Sequence, residues 1–302
     1  MVTQNNFEPT TLSALVGAHA EPGGPRPAIM VLAFEGWNDA GEAASDTVRM
    51  LSHELKAKKV AVLGQDDYYD YQFSRPRVHR NASGKRVIRW PTTRFFRAAL
   101  PGTGIDLLLV RGVEPTYRWK GFTAELLTLA EQENVKALVA VGALLADVPH
   151  SRPIQASLTS EDQALQQQLG AEPATYEGPT GILGVVAETA DAAGLPTVSL
   201  WAAVPHYVAQ APSPKAQLAL VQRIEELLAL RLDLHELVED ALAWERGVNE
   251  LAAGDAEIAA YVKQLEQAQD ESTLPEATGE SIAKEFERYL KRRDRGDDGN
   301  EH

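Results

Sequence analysis

Four short polar stretches carry the side chains with which this chain could do chemistry. The first is Glu35-Gly36-Trp37-Asn38-Asp39-Ala40-Gly41, where an apolar run gives way to a helical pattern. A helix starting near Ala40 leaves its first N–H groups unpaired, and Asn38 or Asp39 can cap them. Gly36 and Gly41 permit a tight turn and close approach of a ligand to the backbone. Open α/β sheets bind ligands at such junctions, beyond the carboxyl ends of strands. A carboxylate at Asp39 opposes an anion there, so a capped structural turn competes with a binding site.

The second stretch, Tyr176 to Gly184, sets Gly178, Thr180 and Gly181 ahead of an apolar helix. The N–H groups of that turn, with the Thr180 hydroxyl, could hold a carboxylate or phosphate; a plain cap by Thr180 is the alternative. The third, Ala146 to Pro153, puts Asp147, His150, Ser151 and Arg152 in one loop after an apolar run. There the imidazole could act as a base and the guanidinium could grip an anion, unless the histidine is simply exposed. The fourth, Trp201 to Val208, carries His206 and Tyr207. Every one of these stretches follows a strand or precedes a helix, so all are expected on one edge of a sheet. Convergence there would make a hydrolase- or phosphorylase-like enzyme, or a sensor, for a small anionic or nucleoside-like ligand.

The usual catalytic signatures are absent. The chain has no GxxxxGK[ST] phosphate loop, no GxSxG elbow and no HExxH metal helix. Gly102-Thr103-Gly104 precedes a strand and so does not match the dinucleotide fingerprint. With no cysteine in the sequence, disulfides, thiolate metal sites and thiol nucleophiles are excluded, and neither metal nor cofactor is expected.

The elements that must position these loops alternate along the chain. Ile29 to Phe34, Val60 to Leu63, Ile105 to Val110, Ala137 to Val141 and Thr197 to Val204 read as strands. Ala43 to Leu55, Thr123 to Asn134 and Ile182 to Ala193 read as helices between them. Continuous apolar strands alternating with helices predict a three-layer α/β fold with a largely parallel sheet. Arg75 to Trp90 interrupts this rhythm with turn residues Asn81-Ala82-Ser83-Gly84, which predicts an inserted β-hairpin rich in cations. Beyond Pro214 the pattern turns helical, with an apolar stripe at Leu234, Leu237, Val238, Ala241, Leu242, Val248 and Leu251. It recurs at Ile258, Tyr261, Val262 and Leu265, and again at Ile282, Phe286, Tyr289 and Leu290. The expected organisation is a flexible arm over 1–26, an α/β domain over 27–212, a helical appendage over 213–292 and a disordered charged tail over 293–302.

At 302 residues, 44% hydrophobic and 24% charged, the composition is that of a globular chain. A net charge of -14 repels nucleic acid and anionic membranes. The N-terminal residues show no secretory pattern, and no apolar run reaches the roughly 20 residues that a bilayer requires. A cytoplasmic protein is expected, without nucleic-acid or membrane partners.

Five of the chain's stretches together resemble the proteasome-assembly-chaperone family, in its actinobacterial-type branch. They are "EGWNDAGEAA", "RGVEPTYRWKGF", "VGALLADVPHSRP", "GPTGILGVV" and "SLWAAVPHYVAQAPSPKA", spread over Pro27 to Arg231, with "WERGVNEL" in the helical tail. The resemblance implies a fold like that of the nucleoside phosphorylase and peptidyl hydrolase group. It also implies self-association into a trimer or other small ring, and a chaperone-like role without catalysis. Members often end in a hydrophobic–tyrosine–any-residue signal that docks into the proteasome. This sequence ends Asn300-Glu301-His302 and departs from that pattern, which points to the helical tail as a different partner surface. The expected protein is therefore a homo-oligomeric scaffold or assembly chaperone, possessing no cofactor, whose further partner is another protein.

Overall fold

The apolar runs become strands buried on both faces. The computed structural model describes residues 10–18, 20–21, 23–64, 66–208 and 212–272. Its strands are β1 (Ala28–Glu35), β2 (Lys58–Leu63), β3 (Arg77–Arg80), β4 (Arg86–Arg89), β5 (Thr93–Ala99), β6 (Asp106–Val113), β7 (Val135–Ala146), β8 (Ala156–Thr159) and β9 (Thr197–Pro205). Its helices are α1 (Leu12–Gly17), α2 (Ala43–Glu54), α3 (Trp119–Gln132), α4 (Gln163–Leu169), α5 (Ile182–Ala192), α6 (Pro214–Leu228), α7 (His235–Ala253) and α8 (Ala256–Ser272). Seven strands form one sheet in the order β2-β5-β6-β1-β7-β9-β8, while β3 and β4 pair separately as the hairpin. The four central strands β6, β1, β7 and β9 run parallel; β5 and β8 are antiparallel to their neighbours β6 and β9, and edge strand β2 is antiparallel to β5. The fold is thus the expected three-layer α/β arrangement, with a mixed sheet and an inserted hairpin.

Alternate residues of each strand serve opposite layers. Ile29, Val31 and Ala33 of β1 join Leu107, Val139 and Val198 in a core covered by α1, α2 and α6. Met30, Leu32 and Phe34 join Leu108, Val110 and Leu138 in a second core beneath α3 and α5, where Phe122 meets Phe34 edge-on at 5.8 Å. Each buried Val, Leu, Ile, Met or Phe side chain among them contributes about 1.5–3 kcal/mol.

The structure departs from the sequence reading in several places. Strands β5 and β8 were not expected: β5 interleaves Arg94 and Arg97 with Phe95 and Phe96, and β8 is only 4 residues long, so neither shows a continuous apolar run. Part of the supposed loose arm is helix. Thr11 accepts a hydrogen bond from the Ala14 N–H to cap α1, Leu12 and Val16 are buried, and the Ser13 hydroxyl donates to Leu228 O at 2.8 Å. Helix α6, expected to open the appendage, completes the layer beside α2 through Leu220, Ile224 and Leu228. The stripe of α7 is divided, with Leu237, Ala241 and Val248 buried and Val238, Leu242 and Leu251 exposed. The expected pattern at Ile282, Phe286, Tyr289 and Leu290, and the charged tail over 293–302, lie outside the described residues. Among the described residues no helix is long and apolar enough to cross a membrane.

Candidate functional site

Strand β1 ends between β6 and β7, so its turn is flanked by loops from both sides of the sheet. Gly36 takes φ +127°, a left-handed value that favours glycine, and the Trp37 N–H faces Glu114 Oε2 at 3.4 Å. A short 3-10 turn over Ala40–Glu42 precedes α2, and Gly41 within it has φ 61°. The cap is Asp39, whose Oδ1 accepts from the N–H groups of Ala44 at 2.9 Å and Ser45 at 3.0 Å. Burial pushes the Asp39 carboxyl up to about 6, against the opposing pull of its hydrogen bonds to Ser45 and Ala44. Asn38 does not cap; its backbone carbonyl instead accepts from the Ala143 N–H of β7 at 2.8 Å.

A raised carboxyl pKa means that the folded state holds the proton longer, so this group's contribution falls as pH rises from about 4 to about 6. Asp39→Ala should cost on the order of 1 kcal/mol through loss of the cap. Asp39→Asn keeps the acceptor without the buried charge, and should gain on the parent as pH rises through that window. Urea unfolding of both variants at pH 5 and pH 7 checks this; no loss in Asp39→Ala at either pH would contradict the capping role, and no change with pH in the gap between Asp39→Asn and the parent would contradict the raised carboxyl pKa.

Glu114, just beyond β6, is a residue that sequence reasoning passed over. Its Oε1 accepts from the Ile182 N–H at 2.8 Å, at the first residue of α5. A Cβ on Gly181 would lie 2.1 Å from Asn38 Oδ1 and 2.8 Å from Glu114 Oε1, so the backbone here passes hard against both side chains. Asn38, Glu114 and Gly181 thus lock the ends of β1 and β6 to the start of α5. At this helix start the chain's own carboxylate holds the first N–H and so opposes an anion there. Gly178 packs on the Tyr176 ring, whose hydroxyl donates to Pro179 O at 2.9 Å, and the Thr180 hydroxyl lies against Gly184.

The remaining candidates lie together elsewhere, beneath α7 and α8. His150 is 1% exposed. Its Nδ1 pairs with the Tyr207 hydroxyl at 2.7 Å and its Nε2 with Asn249 Oδ1 at 3.1 Å, which suits a neutral ring with the proton on Nε2. Burial lowers its pKa. Lys215 Nζ donates to His150 O at 2.6 Å and also pairs with Glu245 of α7. The Ser151 hydroxyl donates to Glu266, and Arg152 grips Asp270 in a fork at 2.9 and 2.7 Å. His206 lies 3.2 Å from Asp147, which also accepts from the Tyr261 hydroxyl at 3.0 Å; burial lowers the His206 pKa as well. The loop residues expected to converge on a ligand therefore divide. Asn38 and Gly181 meet at the α5 start near Thr180, whereas His150, Ser151, Arg152 and His206 clamp α7 and α8.

This mixed sheet between two helical layers, with its strand-end loops bound to one another and capped by two helices, defines a three-layer α/β protein. The chain belongs to the PAC2 family, whose model matches residues 33–252. It is similar to a PAC2 family protein from Streptomyces avermitilis at 50% identity and TM-score 0.73, covering 78% of this chain and 99% of that one. A Mycobacterium tuberculosis proteasome-assembly chaperone homologue is 43% identical with TM-score 0.70, over 78% and 99%. A Mycobacterium tuberculosis protein of unknown function is 26% identical with TM-score 0.75, over 95% and 94%. No curated protein matches the chain.

Proposed function

We propose that this protein is a homo-oligomeric scaffold with an assembly-chaperone-like role, holding other polypeptides rather than transforming a substrate. The surface around the hairpin carries this reading. Phe73 is 84% exposed, Val78 56%, Ile88 55% and Trp90 48%, and Val78 and Ile88 are direct cross-strand partners. Arg75, Arg77, Arg80, Lys85, Arg86 and Arg89 surround them in a chain whose net charge is -14. A lone two-stranded hairpin is marginal in water, so an apolar and cationic ribbon of this kind gains from a covering face. A second copy supplies one, because the rest of the chain is strongly acidic. A contact between unlike faces closes into a trimer or other small ring when the rotation permits.

The relative described as a proteasome-assembly chaperone homologue supports a further protein partner, and α7 offers exposed Val238, Leu242 and Leu251 for it. A hydrolase or phosphorylase reading is less favoured, since Asp39, His150 and His206 are each engaged within the chain. The test is the triple variant Arg77→Glu, Arg86→Glu and Arg89→Glu in light scattering. Its mass should fall toward that of a single chain; a mass equal to the parent's would contradict a hairpin contact between copies.

A further inference from the structure

We propose that the space between α5, the outer strands β8 and β9 and residues 173–180 binds one small uncharged aromatic molecule. It encloses about 180 Å³. An apolar cavity of about 150 Å³ takes up benzene, so the size suits a single ring system between benzene and indole.

The lining gives the chemistry. Ser157 and Thr159 of β8 stand opposite Trp201 and Ser199 of β9, and all four line the space. The hydroxyls of Ser157, Thr159 and Ser199 make no hydrogen bond to the described residues. Further in, the same face of the sheet is aliphatic, with Leu138, Leu32 and Val110 sealed beneath α3 and α5. At β8 and β9 it turns to hydroxyls and an indole. Had the patch been core, its hydroxyls would be left unpaired at a cost; had it been plain surface, Trp201 would have no cover. A ring with a polar edge satisfies both, since it covers the indole and gives the hydroxyls partners. Leu183 and Ala187 of α5 form the opposite wall, with Trp37 and Asn38 also in the lining. Asn38 is 8% exposed and its Oδ1 makes no hydrogen bond to the described residues, which leaves an unused polar group beside the space.

No lysine, arginine or histidine lines the space, and Glu188 stands at its exposed rim. An anionic ligand finds no counter-charge there, which excludes the phosphates and carboxylates that the neighbouring turn first suggested. The site does not depend on the scaffold reading, because it lies within one chain.

The experiment titrates the full chain with indole, p-cresol, adenine and benzoate, following tryptophan fluorescence and thermal unfolding. Indole or p-cresol should bind saturably, and benzoate at least tenfold more weakly. Ala187→Phe should fill the space and abolish binding while the protein still unfolds cooperatively. Should that variant fail to fold, Ser157→Ala with Ser199→Ala leaves the space open and should weaken p-cresol about tenfold through lost hydrogen bonds. The proposal is overturned by no saturable binding of any neutral ring, by benzoate binding as well as p-cresol, or by unchanged binding in the variants. It is also overturned if Ala187→Phe lowers the oligomer mass, which would mean that a side chain of another copy fills the space.

Discussion

Replacing His150 with alanine is expected to lower the free energy of unfolding by about 3 kcal/mol, because it strands buried partners on two elements. The ring is 1% exposed and joins the Tyr207 hydroxyl to Asn249 of α7. Removing it leaves both partners without that contact and opens a void beneath Trp244. The loss should concentrate on α7 and α8, so limited proteolysis should reach the segment between α6 and α7 in the variant but not in the parent.

The same residue should make stability depend on pH. Burial lowers the pKa of His150 and His206 from the ordinary 6.5, so the unfolded chain binds protons that the folded chain refuses. Their contribution should therefore be full above about pH 6.5 and decline as pH falls below it, opposed in part by Asp39, whose contribution grows below about pH 6. Lys215 also disfavours the charged ring, whereas Asn249, Glu245 and Glu266 favour it. Urea unfolding at pH 5, 6, 7 and 8 should show this slope in the parent and a shallower one in His150→Ala. A variant as stable as the parent, with the same slope, would contradict the clamp.

Gly181→Ala is the second change expected to do large damage. The added methyl would sit 2.1 Å from Asn38 Oδ1 and 2.8 Å from Glu114 Oε1, so both side-chain ends must move; Asn38 Oδ1 has no hydrogen bond to the described residues to lose, but Glu114 Oε1 has. Glu114 cannot withdraw without releasing the Ile182 N–H, so the strain falls on the junction of β1, β6 and α5. Overpacking of this kind costs about 1–3 kcal/mol. Gly247→Ala is the control: it lies in α7 with nothing within 4 Å, and should stabilise by about 0.5–1 kcal/mol as a helical glycine replaced by alanine. Denaturant midpoints of the two variants should move in opposite directions. A common shift would mean that the close approach at Gly181 has no energetic weight.

The sequence reading captured what local pattern controls. The four parallel strands announced themselves as unbroken apolar runs, and Asp39 was one of two residues foreseen as the α2 cap. The hairpin followed from its turn, where Asn81 Oδ1 accepts from the N–H groups of Ser83 at 3.1 Å and Lys85 at 3.0 Å. What escaped depends on partners far along the chain. His150 looks like a loop base until Asn249, 99 residues away, is seen to hold it, and Arg152 looks free until Asp270 arrives from 118 residues away. Glu114 carries a signal only in retrospect: an acidic residue directly after a strand, able to reach a neighbouring helix start. The hydroxyl wall of β8 and β9 was hidden because β8 is too short to show strand alternation against its surroundings.

The most direct test of the scaffold reading is sedimentation equilibrium of the unmodified chain across a range of concentrations at neutral pH. The expected result is a species of fixed stoichiometry, at an integer multiple of the chain mass, that dissociates as salt is raised and the cationic hairpin loses its acidic partner. A single chain at every concentration and salt level would contradict self-assembly through the hairpin and with it the scaffold reading.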